Sequence, residues 1–370
     1  MPVLVEFYRQ RVVTGSGSER LRQHAVRAFS VRWSIKVPKS ADFTTNSREL
    51  AKSDSYRLPI LSVEVVKVST KTKIPSSRLS IAVVGGGRIG STFSYKLARA
   101  GHQVTVIARP GSARLRQLQR DKGIILRTGD WAPTGVLDAL DEQQAYDLVI
   151  VTTLGYQVDA VLPSLQRSRA KAIQFMFVTF EPERLRMVVG EARTSFGMPF
   201  IVATLDHEGR LVPTISKSRK TLHSNQRWAD LFTDAGVPSQ FEPNMSQWLR
   251  SHVPFTIACE SVCVLAMKQN GRASFSQVMT AARGMKAGFS LVQALDGALY
   301  PRSKFPSSLP TGLVAFILWA LTTAKPMREL LGSAAKESVA LVDAMAKEVQ
   351  PKGALAAQWE FFLSIKPQLS

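Results

Sequence analysis

The run Gly85-Gly86-Gly87-Arg88-Ile89-Gly90 constrains this chain more than any other six residues. It follows a short apolar run, Ser80-Ile81-Ala82-Val83-Val84, and opens a segment in which Phe93, Leu97 and Ala98 recur at helical spacing until Gly101. A second apolar run, Gln103 to Ala108, comes next. Strand, glycine turn, helix and strand within about 30 residues make a βαβ unit, and such a unit implies a parallel sheet. Each glycine then has a task. Gly85 permits the tight turn, Gly87 lets a pyrophosphate approach the backbone, and Gly90 lets the helix pack on the strand. The helix start offers free N–H groups and the positive end of a dipole to phosphates. Gly85, Gly87, Arg88, Ile89 and Gly90 are thus candidate dinucleotide-binding residues, with Arg88 either a second positive contact or a solvent-facing side chain.

The end of the second strand selects the dinucleotide. An acidic residue about 20 positions past the turn would hold the ribose 2′-hydroxyl of NAD. Arg109 stands there instead, and no Asp or Glu lies between Gly90 and Asp121. A guanidinium can pair bidentately with a 2′-phosphate that a carboxylate would repel. The expected cofactor is NADP(H).

Further strands are expected at Ile124 to Leu126, Leu148 to Thr153, Ala172 to Thr179 and Phe200 to Leu205. Helices are expected at Arg114 to Arg120 and Val158 to Gln166. After about residue 225 the β signals fade, and Arg227 to Ala235, Met245 to Met267, Phe275 to Leu295 and Met327 to Lys347 read as helices. Leu309 to Ala324 is apolar but shorter than the roughly 20 residues a membrane span needs, so it reads as a buried core helix. The fold class is α/β: a Rossmann-type doubly wound N-terminal domain followed by an all-helical C-terminal domain. The expected boundaries are a basic leader at 1–78, an NADP-binding domain at 79–215 and a helical substrate domain at 225–370, with the site in the cleft between the last two.

Charge is uneven. The chain carries 48 Lys/Arg against 28 Asp/Glu, and residues 1–80 hold 15 of the former and 6 of the latter. Leu21, Ala25, Ala28 and Phe29 share a helical face amid arginines, which suits an organelle transit peptide or an extension without a fold of its own. Ile60 to Val68 alternates like a short strand. No RNP, zinc-finger or aromatic–basic pattern accompanies the charge, so nucleic acid is not the expected partner. Cys259 and Cys263 alone exclude a disulfide framework and place the chain in a reducing compartment. That compartment is the cytoplasm by default, or the mitochondrion if the leader is an import signal. No second Cys/His pair supports a metal site, so none is expected.

From Ser80 onward the chain resembles the ketopantoate reductase family. The resemblance rests on Ser80 to Gly90, Lys96 to Arg109, Asp147 to Thr153 followed by Tyr156-Gln157, Glu183-Arg184-Leu185, and Trp248-Leu249-Arg250-Ser251. It spans about residues 80 to 290 and is strongest in the first 75. It implies NADPH-dependent reduction of a small 2-keto acid, with Thr152 and Thr153 lining the cofactor channel; a homodimer is compatible with it. Several polar positions depart from the family. Leu154 or Gly155 stands where a lysine is usual, Phe177 to Phe180 replaces a Gln-Asn-Gly turn, Arg250 replaces the catalytic lysine and Pro254 an asparagine. The C-terminal acidic segment is not recognisable.

These departures bear on the chemistry. Arg250 cannot release a proton at working pH, although it could clamp a carboxylate or stabilise an oxyanion. His252 could supply the proton. Positions i and i+2 point about 200° apart on a helix, so Arg250 and His252 can cooperate only if Pro254 breaks it. The alternative is an NADP(H)-binding sensor or interaction protein without turnover. Glu260 would need a partner if buried. Lys286 reads as exposed or cleft-facing, and Asp206 to Gly209 as a hairpin turn.

Overall fold

The computed structural model describes residues 78–269, 271–301, 306–349 and 354–368. The expected leader, with its amphipathic segment and its alternating run at 60–68, lies outside the described residues.

The apolar run Ser80–Val84 forms β1, buried on both faces as a central parallel strand must be. Helix α1 spans Arg88–Arg99 and packs Phe93 edge-on against Phe232, ring centroids 4.7 Å apart. Strand β2, Gln103–Ile107, pairs parallel with β1 in the register Ser80↔Gln103. Helix α2, Ala113–Asp121, starts where the Ser112 hydroxyl accepts from the Leu115 N–H at 3.1 Å. Strands β3 (Gly123–Ile125) and β4 (Trp131–Pro133) pair on their own, while β5 (Gly135–Leu137) joins β2. Then come β6 (Leu148–Val151), a 3-10 segment Gly155–Ala160, α3 (Leu162–Arg167), β7 (Ile173–Phe175), α4 (Pro182–Val189) and β8 (Thr194–Met198). Strands β9 (Ile201–Leu205) and β10 (Leu211–Ile215) form a hairpin, with Asp206 to Arg210 as its turn, as the sequence indicated.

The sheet does not stop at 215. Strand β11 (Thr221–His223), α5 (Gln226–Asp234) and β12 (Ser239–Phe241) complete an eight-stranded order β12-β11-β8-β7-β6-β1-β2-β5. Every pair is parallel except β8–β11. Strands β11 and β12 each hold a single apolar residue, Leu222 and Phe241, so no apolar run marks them in the sequence. The purely helical part therefore begins at Met245 rather than 225. Buried within this edge, the Gln174 amide lies 2.6 Å from His223 Nδ1, and His223 Nε2 lies 3.2 Å from the Ser239 hydroxyl. Burial pushes the His223 pKa down to about 3, so the ring is neutral; Nδ1 accepts from the amide and Nε2 donates.

Helix α6 (Met245–Lys268) and α7 (Phe275–Asp296) lead the helical part. Pro254 does not break α6. Its ring packs against Gly288 of α7, where an added Cβ would sit 2.8 Å from the Pro254 Cβ and 2.8 Å from the Phe362 ring. Helix α8, Thr311–Thr323, corrects the expectation of a core helix. Val314, Ala315, Leu318 and Leu321 are buried, but Leu313 is 43% and Phe316 53% exposed. The predicted helix 327–347 is two, α9 (Lys325–Gly332) and α10 (Ala335–Glu348). The break falls where Gly332 lies so close to α6 that a Cβ would meet the Cys263 carbonyl at 3.1 Å. A last helix, α11 (Ala354–Leu363), packs on α7. Among the described residues no helix is long and apolar enough to cross a membrane.

Candidate active site

The strand order reverses direction about β1, which has β2 on one side and β6 on the other. In open parallel sheets the crevice at this switch point, beyond the carboxyl ends of the strands, is where ligands bind. The glycine turn lies there. Gly85 has φ +111°, open to glycine at little cost, and its N–H donates to the Ile107 carbonyl at 2.9 Å. A Cβ on Gly85 would lie 2.8 Å from Thr152 Oγ1, and one on Gly90 would overlap the Gly85 carbonyl oxygen. A Cβ on Gly87 would meet nothing within 4 Å. Two of the three glycines are therefore demanded by the fold, and the third faces open space.

The turn is braced from both sides. Thr152 Oγ1 lies 3.0 Å from the Gly85 carbonyl and 3.2 Å from that of Val84, and donates there. Ser91 Oγ donates to the Gly86 carbonyl at 3.0 Å, and Arg114 Nε to the same oxygen at 2.9 Å. Arg114 also reaches Ser91 Oγ and the Gly209 carbonyl of the hairpin turn, each at 2.7 Å. Nothing in the sequence singles Arg114 out, because its partners lie up to 95 residues away. Helix α1 has no side-chain cap and no acid in its first turn, which leaves its leading N–H groups to the crevice.

Arg109 stands just beyond β2, exposed, and Arg88 is exposed in the first turn of α1; Ile89 beside it packs on the core. Neither guanidinium has a hydrogen-bond or ion-pair partner among the described residues. Across the crevice, Thr153 Oγ1 is buried without a hydrogen-bond partner. An unsatisfied buried hydroxyl, an uncrowded Gly87 and two unpaired guanidinium groups suit a phosphorylated dinucleotide with a polar head.

The expected catalytic pair is not assembled. Because α6 runs unbroken through Pro254, Arg250 and His252 leave it in different directions. Arg250 is engaged. Its Nε lies 3.0 and 3.1 Å from the two Asp296 carboxylate oxygens, and its Nη1 donates to the Phe180 carbonyl at 3.2 Å and to Glu348 at 2.5 Å. The guanidinium also sits 4.3 Å from the centre of the Phe180 ring. Burial acts to lower its pKa, but Asp296 and Glu348 outweigh it and raise the value above that of an ordinary guanidinium. This arginine ties the helical part to the turn after β7. His252 stacks on Trp248, centroids 4.6 Å apart, and tilts against Phe255.

Other side chains take the places their surroundings allow. Cys259 and Cys263 are free and buried; desolvation pushes Cys263 up to about 12 and also raises Cys259. No cluster of metal-ligating side chains occurs among the described residues. Lys286 Nζ, half-buried, donates to the Leu309 carbonyl at 3.0 Å. Glu260 is buried and accepts from the Ser338 hydroxyl, and desolvation with the nearby Glu337 raises its pKa to about 8. Glu337, which sequence reasoning missed, is itself buried and accepts from the Gly155 N–H; burial raises it to about 7 against that hydrogen bond.

A family model for ketopantoate reductase PanE/ApbA matches residues 81–218. No curated protein matches the chain by sequence. Among solved structures, D-mandelate dehydrogenase with NADH superimposes with a TM-score of 0.57 at 15% identity, over 78% of this chain and 97% of its own. A probable 2-dehydropantoate 2-reductase from Bacillus subtilis gives 0.56 at 16%, over 78% and 99%. The dimeric ketopantoate reductase of Staphylococcus aureus gives 0.54 at 14%, over 78% and 99%. At these identities the likeness speaks for the fold alone, and over residues 81–218 the chain is similar to the ketopantoate reductase PanE/ApbA family.

Proposed function

We propose that this chain binds NADPH across the β1–β6 crevice and reduces a small 2-keto acid to the 2-hydroxy acid. The observation that carries the reading is the crevice itself: a braced glycine turn with Gly87 open to it, the Arg109 guanidinium on the β2 side, unpaired among the described residues, and the unsatisfied Thr153 hydroxyl on the β6 side. Bound NADPH would supply a hydride to the carbonyl carbon, and the resulting alkoxide would take its proton from solvent water. The protein's own share is to hold. Gly85 and Gly87 take the pyrophosphate, with the first turn of α1 (Arg88, Ile89, Gly90) presenting its N–H groups. Arg109 takes the 2′-phosphate, and Thr152 and Thr153 line the nicotinamide side. Arg250, ion-paired and held in its charged form, is not the proton donor. A homodimer, the state named for the Staphylococcus aureus relative, belongs to the same reading.

The engagement of Arg250 favours a second reading, in which NADP(H) is bound and sensed without turnover. One pair of experiments separates them. NADPH fluorescence titration tests binding, and a panel of 2-keto acids tests oxidation of the bound coenzyme. Oxidation with any panel member supports the reductase; binding without it supports the sensor. Arg109→Asp loses a charge-assisted pair and gains a repulsion, so NADPH affinity is expected to fall about 100-fold or more, from roughly 3 kcal/mol. NADH affinity should change less than about threefold. Equal losses for the two coenzymes would remove the 2′-phosphate assignment.

A further inference from the structure

The turn after β6 is held at both ends, and the far anchor comes from the helical part. Thr152 ties its start to the glycine turn. At its other end the Gly155 N–H donates to both carboxylate oxygens of Glu337, at 3.0 and 3.1 Å. Glu337 lies in the first turn of α10, 182 residues away, and is only 6% exposed. The fit is close: a Cβ on Gly155 would lie 3.0 Å from Glu337 Oε1 and 3.2 Å from the Val178 carbonyl of the turn after β7. The next residue of α10, Ser338, donates its hydroxyl to the buried Glu260 of α6, so α10 is hooked to the bundle and to the crevice by adjacent side chains. Between the two anchors of the turn sits Thr153, with its buried hydroxyl unsatisfied.

We infer that Glu337 is a positioning residue for the coenzyme: by holding the Gly155 amide it fixes the 152–156 turn, and with it the Thr153 hydroxyl, against the nicotinamide half of the ligand. This rests on the coenzyme reading above. A doubly wound sheet binds a dinucleotide with one mononucleotide on each half. The β1–β2–β5 half would take the adenosine and its 2′-phosphate, and the β6–β7–β8 half the nicotinamide riboside. Glu337 touches only the second half, so its removal acts on part of the ligand and not on the rest.

Calorimetry with NADPH and with 2′,5′-ADP, which lacks the nicotinamide half, tests this on the full chain. Glu337→Ala is expected to weaken NADPH at least tenfold while 2′,5′-ADP stays within twofold. Glu337→Gln, whose amide oxygen can still accept the Gly155 N–H, should recover most of the loss. Gly155→Ala crowds the carboxylate without removing it and should reproduce the selective loss, so the test stands even if the alanine at 337 fails to fold. Equal weakening of both ligands, or of neither, overturns the inference while leaving the coenzyme reading intact. Wild-type protein that binds neither compound overturns the coenzyme reading and this inference with it.

Discussion

Replacing Arg250 by methionine separates a catalytic arginine from a structural one. The guanidinium is 14% exposed and holds Asp296, itself 16% exposed, through Nε at 3.0 and 3.1 Å. A hydrogen bond involving a charged group is worth about 1.5–3 kcal/mol, and stripping one partner from a buried ion pair costs about 3–5 kcal/mol. The contact to Glu348 adds little, because that carboxylate is 36% exposed and water screens it. The face of Phe180 at 4.3 Å adds about 0.5–1 kcal/mol. Methionine keeps much of the aliphatic stem, so the net loss should be about 3–4 kcal/mol. For a chain of this size that corresponds to roughly 6–15 °C in Tm. Urea unfolding and calorimetry measure it directly. Adding Asp296→Asn to Arg250→Met should restore at least about 1 kcal/mol, because the stranded buried charge is gone. NADPH affinity should change less than about threefold in either variant. A melting curve within about 1 kcal/mol of wild type would refute the argument, and loss of turnover in that same stable variant would return Arg250 to the chemistry.

The glycine turn and the buried histidine give two more tests. Gly90→Ala forces a Cβ onto the Gly85 carbonyl and should cost at least about 2 kcal/mol of stability, whereas Gly87→Ala, with nothing within 4 Å, should leave Tm unchanged and weaken NADPH at least about tenfold. Equal effects in thermal melts would mean that Gly87 does not face a ligand. His223 has a folded pKa of about 3 against an ordinary 6.5, so its contribution to stability is complete above pH 6.5 and is lost as pH falls toward 3, by about 1.4 kcal/mol per unit. Glu260 and Glu337 run the other way: raised to about 8 and about 7, they favour the fold below pH 4.5 and lose that contribution as pH rises through their folded values. The difference in urea stability between wild type and His223→Gln isolates the histidine, and a difference that does not vary between pH 7 and pH 5 would show that the ring is protonated in the fold.

What could be read in the sequence divides along a physical line. The βαβ unit was legible because it is specified locally: a five-residue apolar strand, glycines at the positions where a Cβ meets backbone, and a helix opening at Gly87. Arg109 was legible because its place depends only on the length of β2. Strands β11 and β12 were not, since each holds a single apolar residue and β11 gains its place by pairing with β8, some 25 residues back. The split of 327–347 was hidden because it answers a contact of Gly332 with α6, and α8 was misplaced because its composition is apolar all round while only one side meets the bundle.

The same line runs through the site. Backbone requirements at the glycine turn leave few residue choices, so the part that would hold a dinucleotide survives divergence in readable form. The part that would act on a substrate depends on side chains whose partners are far away in the chain: Asp296 is 46 residues from Arg250, Glu348 is 98, and Glu337 is 182 from Gly155. Arg250 reads in the sequence as a candidate for the chemistry. In the fold Arg250 is clamped between the carboxylates of Asp296 and Glu348. The carboxylate of Glu337 likewise reaches from the helical part to the turn after β6. On the proposed reading, coenzyme binding and turnover are separable. The Arg250 and Glu337 variants should separate them, since the first removes cohesion without touching the crevice and the second loosens one wall of the crevice while leaving the glycine turn in place.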